Sequence, residues 1–208
     1  MKISVFLVLL LVLLAGFLVS CTDGTSINIE DVSVDRPEWK TGDSWTFSCS
    51  GGQSREKRVV SFEVLGEEKF KDALCYVLKA DDILREYYTY DLNPRARLAG
   101  NTILVEVIPE LRSFDWPLKV GKKWKTTHVL KKMFSYSTEH ADFEVKGMEK
   151  IRVPAGRFIT FRIVQKNRLR DRIWQEWWYS AKAKWFVKKK VHWRRFQTEE
   201  WKLSKYKV

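Results

Sequence analysis

Three histidines, two short polar clusters and three cysteines are the residues of this 208-residue chain whose types could do chemistry. His128, His140 and His192 lie far apart, and no Cys-x-x-Cys or His-Glu-x-x-His occurs, so the spacing that holds a metal is missing. Ser135-Tyr136-Ser137-Thr138-Glu139-His140 gathers hydroxyls, a carboxylate and an imidazole. Adjacent residues of a strand point to opposite faces, so this run reads as a polar strand end and not as a catalytic cluster. Asp81-Asp82 reads as a turn ahead of a strand at Leu84. No Gly-x-Ser-x-Gly elbow or phosphate-cradling glycine loop is present. The expectation is a protein without catalytic residues, metal or cofactor.

Cys21 carries the most specific chemistry. Met1-Lys2 leads into an apolar run from Ile3 to Val19, and Leu18-Val19-Ser20-Cys21 closes it. A charged start, an apolar stretch and small residues at the cut are the anatomy of a secretory signal. The order Leu-Val-Ser-Cys resembles the bacterial lipobox, in which the cysteine sulfur is acylated and the chain is cut just before it. That resemblance implies a signal peptide over 1–20 and a lipid anchor on Cys21, since two or more acyl chains hold firmly to a bilayer. The alternatives are a plain secretory cut that leaves Cys21 a thiol, or an uncut helix, for which a span of about 20 apolar residues is needed. Thr22 follows the cysteine and Asp23 comes one place later, which mildly favours sorting to an outer membrane or the cell surface over inner-membrane retention.

Removing 20 residues leaves 188, enough for one substantial core. Ten Trp, twelve Phe and seven Tyr supply that core with bulky side chains. Residues 22–36, with Asp23, Glu30, Asp31 and Asp35 against Arg36, lack a core pattern, so 21–36 reads as a flexible tether. Cys49 and Cys75 then face an oxidising compartment, which makes them a candidate disulfide. Strand parity opposes it: Cys49 shares a face with Trp45 and Phe47, while Cys75 alternates against Leu74, Tyr76 and Leu78.

From Pro37 to the end, short runs rich in Val, Ile, Phe, Tyr and Trp are punctuated by turn residues. This is the pattern of an all-β antiparallel meander, curled into an open barrel or a sandwich. Strand cores are expected at 44–49, 58–64, 74–79, 84–92, 103–108, 123–130, 134–145, 158–166, 173–180, 185–191 and 193–203. Val60, Phe62 and Val64 alternate with Ser61 and Glu63, the mark of a half-buried strand. Short helical turns at 67–74 and 93–98 are the only helix expected, which disfavours a parallel α/β architecture. Val153-Pro154-Ala155-Gly156 predicts a tight hairpin joining 148–153 to 158–166.

Lys40-Thr41-Gly42-Asp43-Ser44-Trp45 is echoed 79 residues later by Lys119-Val120-Gly121-Lys122-Lys123-Trp124. The echo predicts two similar halves, 37–116 and 117–208, within one domain, each using Gly to turn and Trp to pin a new strand. Together with Val145-Lys146-Gly147, the Val153–Phe158 hairpin and Trp178-Tyr179 followed by Phe186-Val187-Lys188, this order resembles a TapB-like family of bacterial envelope lipoproteins. The resemblance spans roughly residues 37–191 and implies a β-rich domain and an envelope location, with no catalytic residues. The family's Pro/Gly-rich turn after the Trp-Tyr pair is replaced here by Ser180-Ala181-Lys182-Ala183-Lys184.

Residues 150–208 hold 18 Lys plus Arg against four acids, while the rest of the chain sums to −2 within the total of +12. A basic third outside the cytoplasm points to anionic lipid, glycan or an acidic envelope protein, and away from nucleic acid. Lys182, Lys184, Lys188, Lys189, Lys190, Arg194 and Arg195, interleaved with Trp178, Trp185 and Trp193, are the candidate anionic-surface residues. The functional expectation is a membrane-anchored binding protein, with a barrel able to hold an apolar ligand. A structural protein of an envelope assembly is the alternative, and an enzyme on an envelope polymer comes third.

Overall fold

The computed structural model describes residues 32–52, 56–194 and 197–208. The signal segment and Cys21 lie outside the described residues, as does Arg195. A short strand β1 (Ser33–Val34) is followed by six long meandering strands: β2 (Ser44–Gly51), β3 (Arg58–Phe70), β4 (Ala73–Ala80), β5 (Leu84–Tyr88), β6 (Pro94–Ala99) and β7 (Thr102–Ile108). After β8 (Leu118–Lys119) come six more: β9 (Lys123–Lys132), β10 (Ser135–Val153), β11 (Gly156–Asn167), β12 (Arg172–Ser180), β13 (Trp185–Arg194) and β14 (Gln197–Lys207). The twelve long strands pair antiparallel throughout, and β7 on β9 and β14 on β2 close them into a barrel. The meander curls as expected and goes further than an open barrel or a sandwich: it closes, which leaves no unpaired edge among the described strands of the wall.

Alternation along each strand sets the two faces of this wall. Trp45, Phe47 and Cys49 on β2 and Val60, Phe62 and Val64 on β3 are buried inward, while Ser44, Thr46, Ser48, Ser61 and Glu63 face out. On these two strands the outer face is mainly polar and the inner face apolar. Each fully buried Phe or Val contributes roughly 1.5–3 kcal/mol.

One end of the barrel is plugged. Trp185 makes ring contacts with Trp45 at 5.0 Å, Phe62 at 5.1 Å and Trp39 at 5.2 Å. The indole N–H groups of Trp39 and Trp45 donate to the carbonyls of Lys184 (3.0 Å) and Ala183 (2.7 Å), so the 3₁₀ turn at Ala181–Ala183 locks the plug. β1 pairs with β8 across this same end, and Val32 and Val34 pack on the core. Val32 and Val34, which fall within the expected tether, are thus packed against the domain.

Strands β2–β7 and β9–β14 share local geometry at their starts within one closed wall. Gly42 (φ +88°) and Gly121 (φ +82°) turn the chain identically. Gly42 N–H donates to Val64 O and Val64 N–H to Asp43 O, both at 2.9 Å; Gly121 N–H donates to Val145 O and Val145 N–H to Lys122 O at the same distances. A bulge follows each valine, before Gly66 and before Gly147. Here Phe62-Glu63-Val64-Leu65-Gly66-Glu67-Glu68-Lys69 matches Phe143-Glu144-Val145-Lys146-Gly147-Met148-Glu149-Lys150 at six of eight positions. That match extends the Lys-x-Gly-x-x-Trp echo into the strand that each glycine turn bonds.

Three expectations need correction. The segment 93–98 forms β6 and not a helical turn, because Ala96 and Arg97 pair with Tyr87 and Glu86. Residues 67–70 continue β3, and Lys71-Asp72 makes a hairpin turn where a short helix was expected. Cys49 and Cys75 are both free and buried. They sit on opposite faces of the wall: Cys49 in the lumen-side core, Cys75 in a satellite cluster with Phe70, Val77, Tyr87 and Ala96. The Val153–Gly156 hairpin forms as expected.

Candidate functional site in the barrel lumen

Above the plug the lumen is not filled. Two cavities of about 310 Å³ each lie inside the wall, and they share Glu86, Arg97, Gln175 and Lys189. These four side chains form a polar belt where the cavities meet. The chamber nearer the plug is walled by Leu92, Val105, Val107, Leu111, Phe114 and Trp177. The chamber nearer the opposite end is lined by Arg58, Asp81, Trp193 and Glu199, among others, and is more polar. Cavities of this size fall at the small end of ligand pockets.

The carboxylates of Glu86 in the belt and Glu199 beside it are saturated. Glu86 accepts from Arg97 Nε (2.8 Å) and Nη2 and from the Tyr88 hydroxyl (2.8 Å). Glu199 accepts from Arg58 and from the indoles of Trp193 (3.0 Å) and Trp201 (2.8 Å). Lys189 is different. Its ammonium lies 3.9 Å from the Trp201 ring centroid and 5.1 Å from that of Phe186, and among the described residues no carboxylate pairs with it. Burial brings its pKa down to about 8, despite the fields of Glu86 and Glu199 that act in the other direction.

The expected basic surface does not survive as one patch. Strand alternation turns Lys189 into the lumen and its neighbours outward: Lys188 and Lys190 stand over the outer ring of Trp178, at 4.6 Å and 5.9 Å. Lys188 pairs with Glu200 (3.2 Å). At the plugged end, Lys184 pairs with Asp43 (3.0 Å) and Lys182 is exposed beside the Phe158 ring. Arg194 ends β13 near the opposite end. The spacing of three consecutive lysines hid this division, and the period-2 rule for strands resolves it.

The histidines are also dispersed. His140 bonds Thr127 (3.0 Å), His192 bonds Glu176 (3.0 Å) and Thr198 (3.2 Å), and His128 is buried in β9. Burial lowers the His128 pKa. Ser137 donates to Glu139 (3.0 Å) on an exposed stretch of β10. Among the described residues, no group of three or more His, Cys, Asp or Glu stands together as metal ligands. No helix among them is long and apolar enough to cross a membrane.

The class this defines is a closed, twelve-stranded antiparallel barrel, plugged at one end and carrying a polar belt in its lumen. No family model and no curated protein matches the chain. Among solved structures it is similar to the hypothetical lipoprotein YmcC of Escherichia coli (K12), at 11% identity and a TM-score of 0.47, over 82% of this chain and 90% of that one. A candidate lipoprotein of Parabacteroides distasonis is similar at 12% identity and a TM-score of 0.43. A candidate exported protein of Bacteroides fragilis with a YmcC-like fold gives the same two values, and each covers 85% of this chain and 100% of its own.

Proposed function

We propose that this protein is a lipid-anchored binding protein of the bacterial envelope that takes a small guest into its barrel lumen and catalyses no reaction. Lipid on Cys21 holds it at the membrane and the lumen selects the guest. The observation that supports this most is the pair of cavities joined at one polar belt inside a closed antiparallel wall. A closed barrel that needed only rigidity would fill this space with side chains, as it does around Trp185. Native mass spectrometry of the mature chain, residues 21–208 carrying Cys21→Ser, tests the reading. A discrete added mass released by organic extraction supports it, and a bare mass across repeated preparations from envelope extracts counts against it.

A second reading is an interaction protein of an envelope assembly. The β9–β10 tip favours it, where Phe134 is 93% and Tyr136 is 82% exposed. Contact with anionic lipid or glycan would fall to the outward cations Lys182 and Lys190. Salt-dependent sedimentation with anionic vesicles, lost in Lys182→Glu/Lys190→Glu, supports that contact, and unchanged sedimentation argues against it.

A further inference from the structure

Resting on the lumen reading above, we infer that the guest is an anionic amphiphile, with its oxyanion head on the Lys189 ammonium and its apolar body in the chamber walled by Leu92, Val107, Leu111 and Phe114.

Four observations carry this. Lys189 lines both cavities, so a group placed on its ammonium sits where they join. The two acids closest to it electrostatically are already occupied: Glu86 by Arg97 and Tyr88, and Glu199 by Arg58, Trp193 and Trp201. Within the belt itself Glu86 offsets Arg97, and the Lys189 charge has no carboxylate partner among the described residues. Lys189 is half-buried, and an ammonium drawn partly out of water without a partner carries a cost that an anionic guest relieves.

The barrel's internal repeat gives an independent argument. Following the register from the equivalent residues Val64 and Val145 leads across Leu78 and Ile163 to Glu86 and Trp177, and from these to Arg97 and Lys189. Arg97 and Lys189 are therefore the same position in the two halves. In the first half the cross-strand neighbour is the neutralising Glu86. In the second it is Trp177, an apolar wall of the plug-side chamber. The second half has apolar surface where the first has a carboxylate, with a cation in both, which is the arrangement an amphiphile's charged head and apolar body require.

The experiment is a head-group series on the mature chain carrying Cys21→Ser, read by tryptophan fluorescence and calorimetry near neutral pH. Dodecanoate, dodecyl phosphate, dodecan-1-ol and dodecyltrimethylammonium serve as probes. The expected result is binding by one or both anions at least about tenfold tighter than by the alcohol, as a charge-assisted contact provides, and none by the cation. The carboxylate and phosphate arms tell the two head groups apart. Lys189→Met should abolish the preference for anions over the alcohol, and Lys189→Arg should keep it. Equal binding of alcohol and anion by the unaltered chain, or an anion preference that survives Lys189→Met, overturns this inference and leaves the lumen reading standing. Failure of every probe to bind overturns both. The head-group comparison on the unaltered chain decides the matter even if a variant fails to fold.

Discussion

Lys189 stands where the barrel's repeat places Arg97, but Trp177 occupies the position from which Glu86 neutralises Arg97. One half of the wall satisfies its internal cation and the other leaves it to the lumen. That asymmetry within an otherwise repeated wall has consequences for stability as well as for binding.

The Lys189 pKa lies near 8 in the folded chain, below its ordinary 10.5. Between those values the unfolded chain holds a proton that the folded chain has released, so this group makes the fold more stable as pH rises through the window. Arg97, raised by Glu86, and Glu199, held low against its burial by hydrogen bonds from Trp193 and Arg58, move away from this window and keep their charges throughout it. The Cys49 thiol, pushed up to about 11 chiefly by burial, acts with the opposite sign, so a comparison isolates the lysine. Urea midpoints should rise more, or fall less, with pH in the unaltered chain than in Lys189→Met, and Lys189→Met should be the more stable at neutral pH. Parallel pH profiles would show that Lys189 is not desolvated.

Glu86→Gln should be destabilising by about 1–3 kcal/mol, measured by urea unfolding. The figure sits below that for a fully buried pair because the Arg97 side chain keeps 49% of its surface open to the lumen, while Glu86 keeps 8%. Adding Arg97→Met to Glu86→Gln should recover much of the loss, since it removes the stranded charge. No recovery would mean that the Tyr88 contact, and not the ion pair, matters at this position.

Gly42→Ala and Gly121→Ala should each cost about 1–2 kcal/mol, and about the same amount as each other. Both glycines hold a positive φ, and a Cβ at either meets nothing within 4 Å, so the penalty is backbone strain alone. The double variant should be additive, because the sites belong to separate strand pairs. A large difference between the two would contradict the equivalence of the halves.

Cys49 and Cys75 should titrate as two thiols in the denatured Cys21→Ser chain without reductant, and should react slowly when folded. Both are buried, and burial raises both thiol pKa values, which suppresses the reactive thiolate. A mobility difference between reduced and unreduced chain would reveal a disulfide and overturn the separation by the barrel wall.

Much of the wall was legible because alternation is local. Val60-Ser61-Phe62-Glu63-Val64 announces both a strand and its inward face, and the hairpin at Val153–Gly156 follows from Pro and Gly alone. β6 was not legible: Pro94-Arg95-Ala96-Arg97 has weak strand preference and is held by its pairing with β5 on one side and β7 on the other. The site was hidden for a related reason. Lys188-Lys189-Lys190 reads as one basic run, and only knowing which residues of β13 face inward separates the middle lysine from its neighbours.

The sequence by itself determined the strand composition, the glycine turns that begin each half, and the candidate lipid-bearing Cys21, because each depends on residues a few places apart. The tertiary structure alone decided that the sheet closes, that one end is plugged by Trp39, Trp45 and Trp185, and that Lys189 is left without a carboxylate. Those outcomes depend on which strands lie side by side. Register across a closed wall brings together residues such as Glu86, Arg97, Lys189 and Glu199 that no local pattern connects.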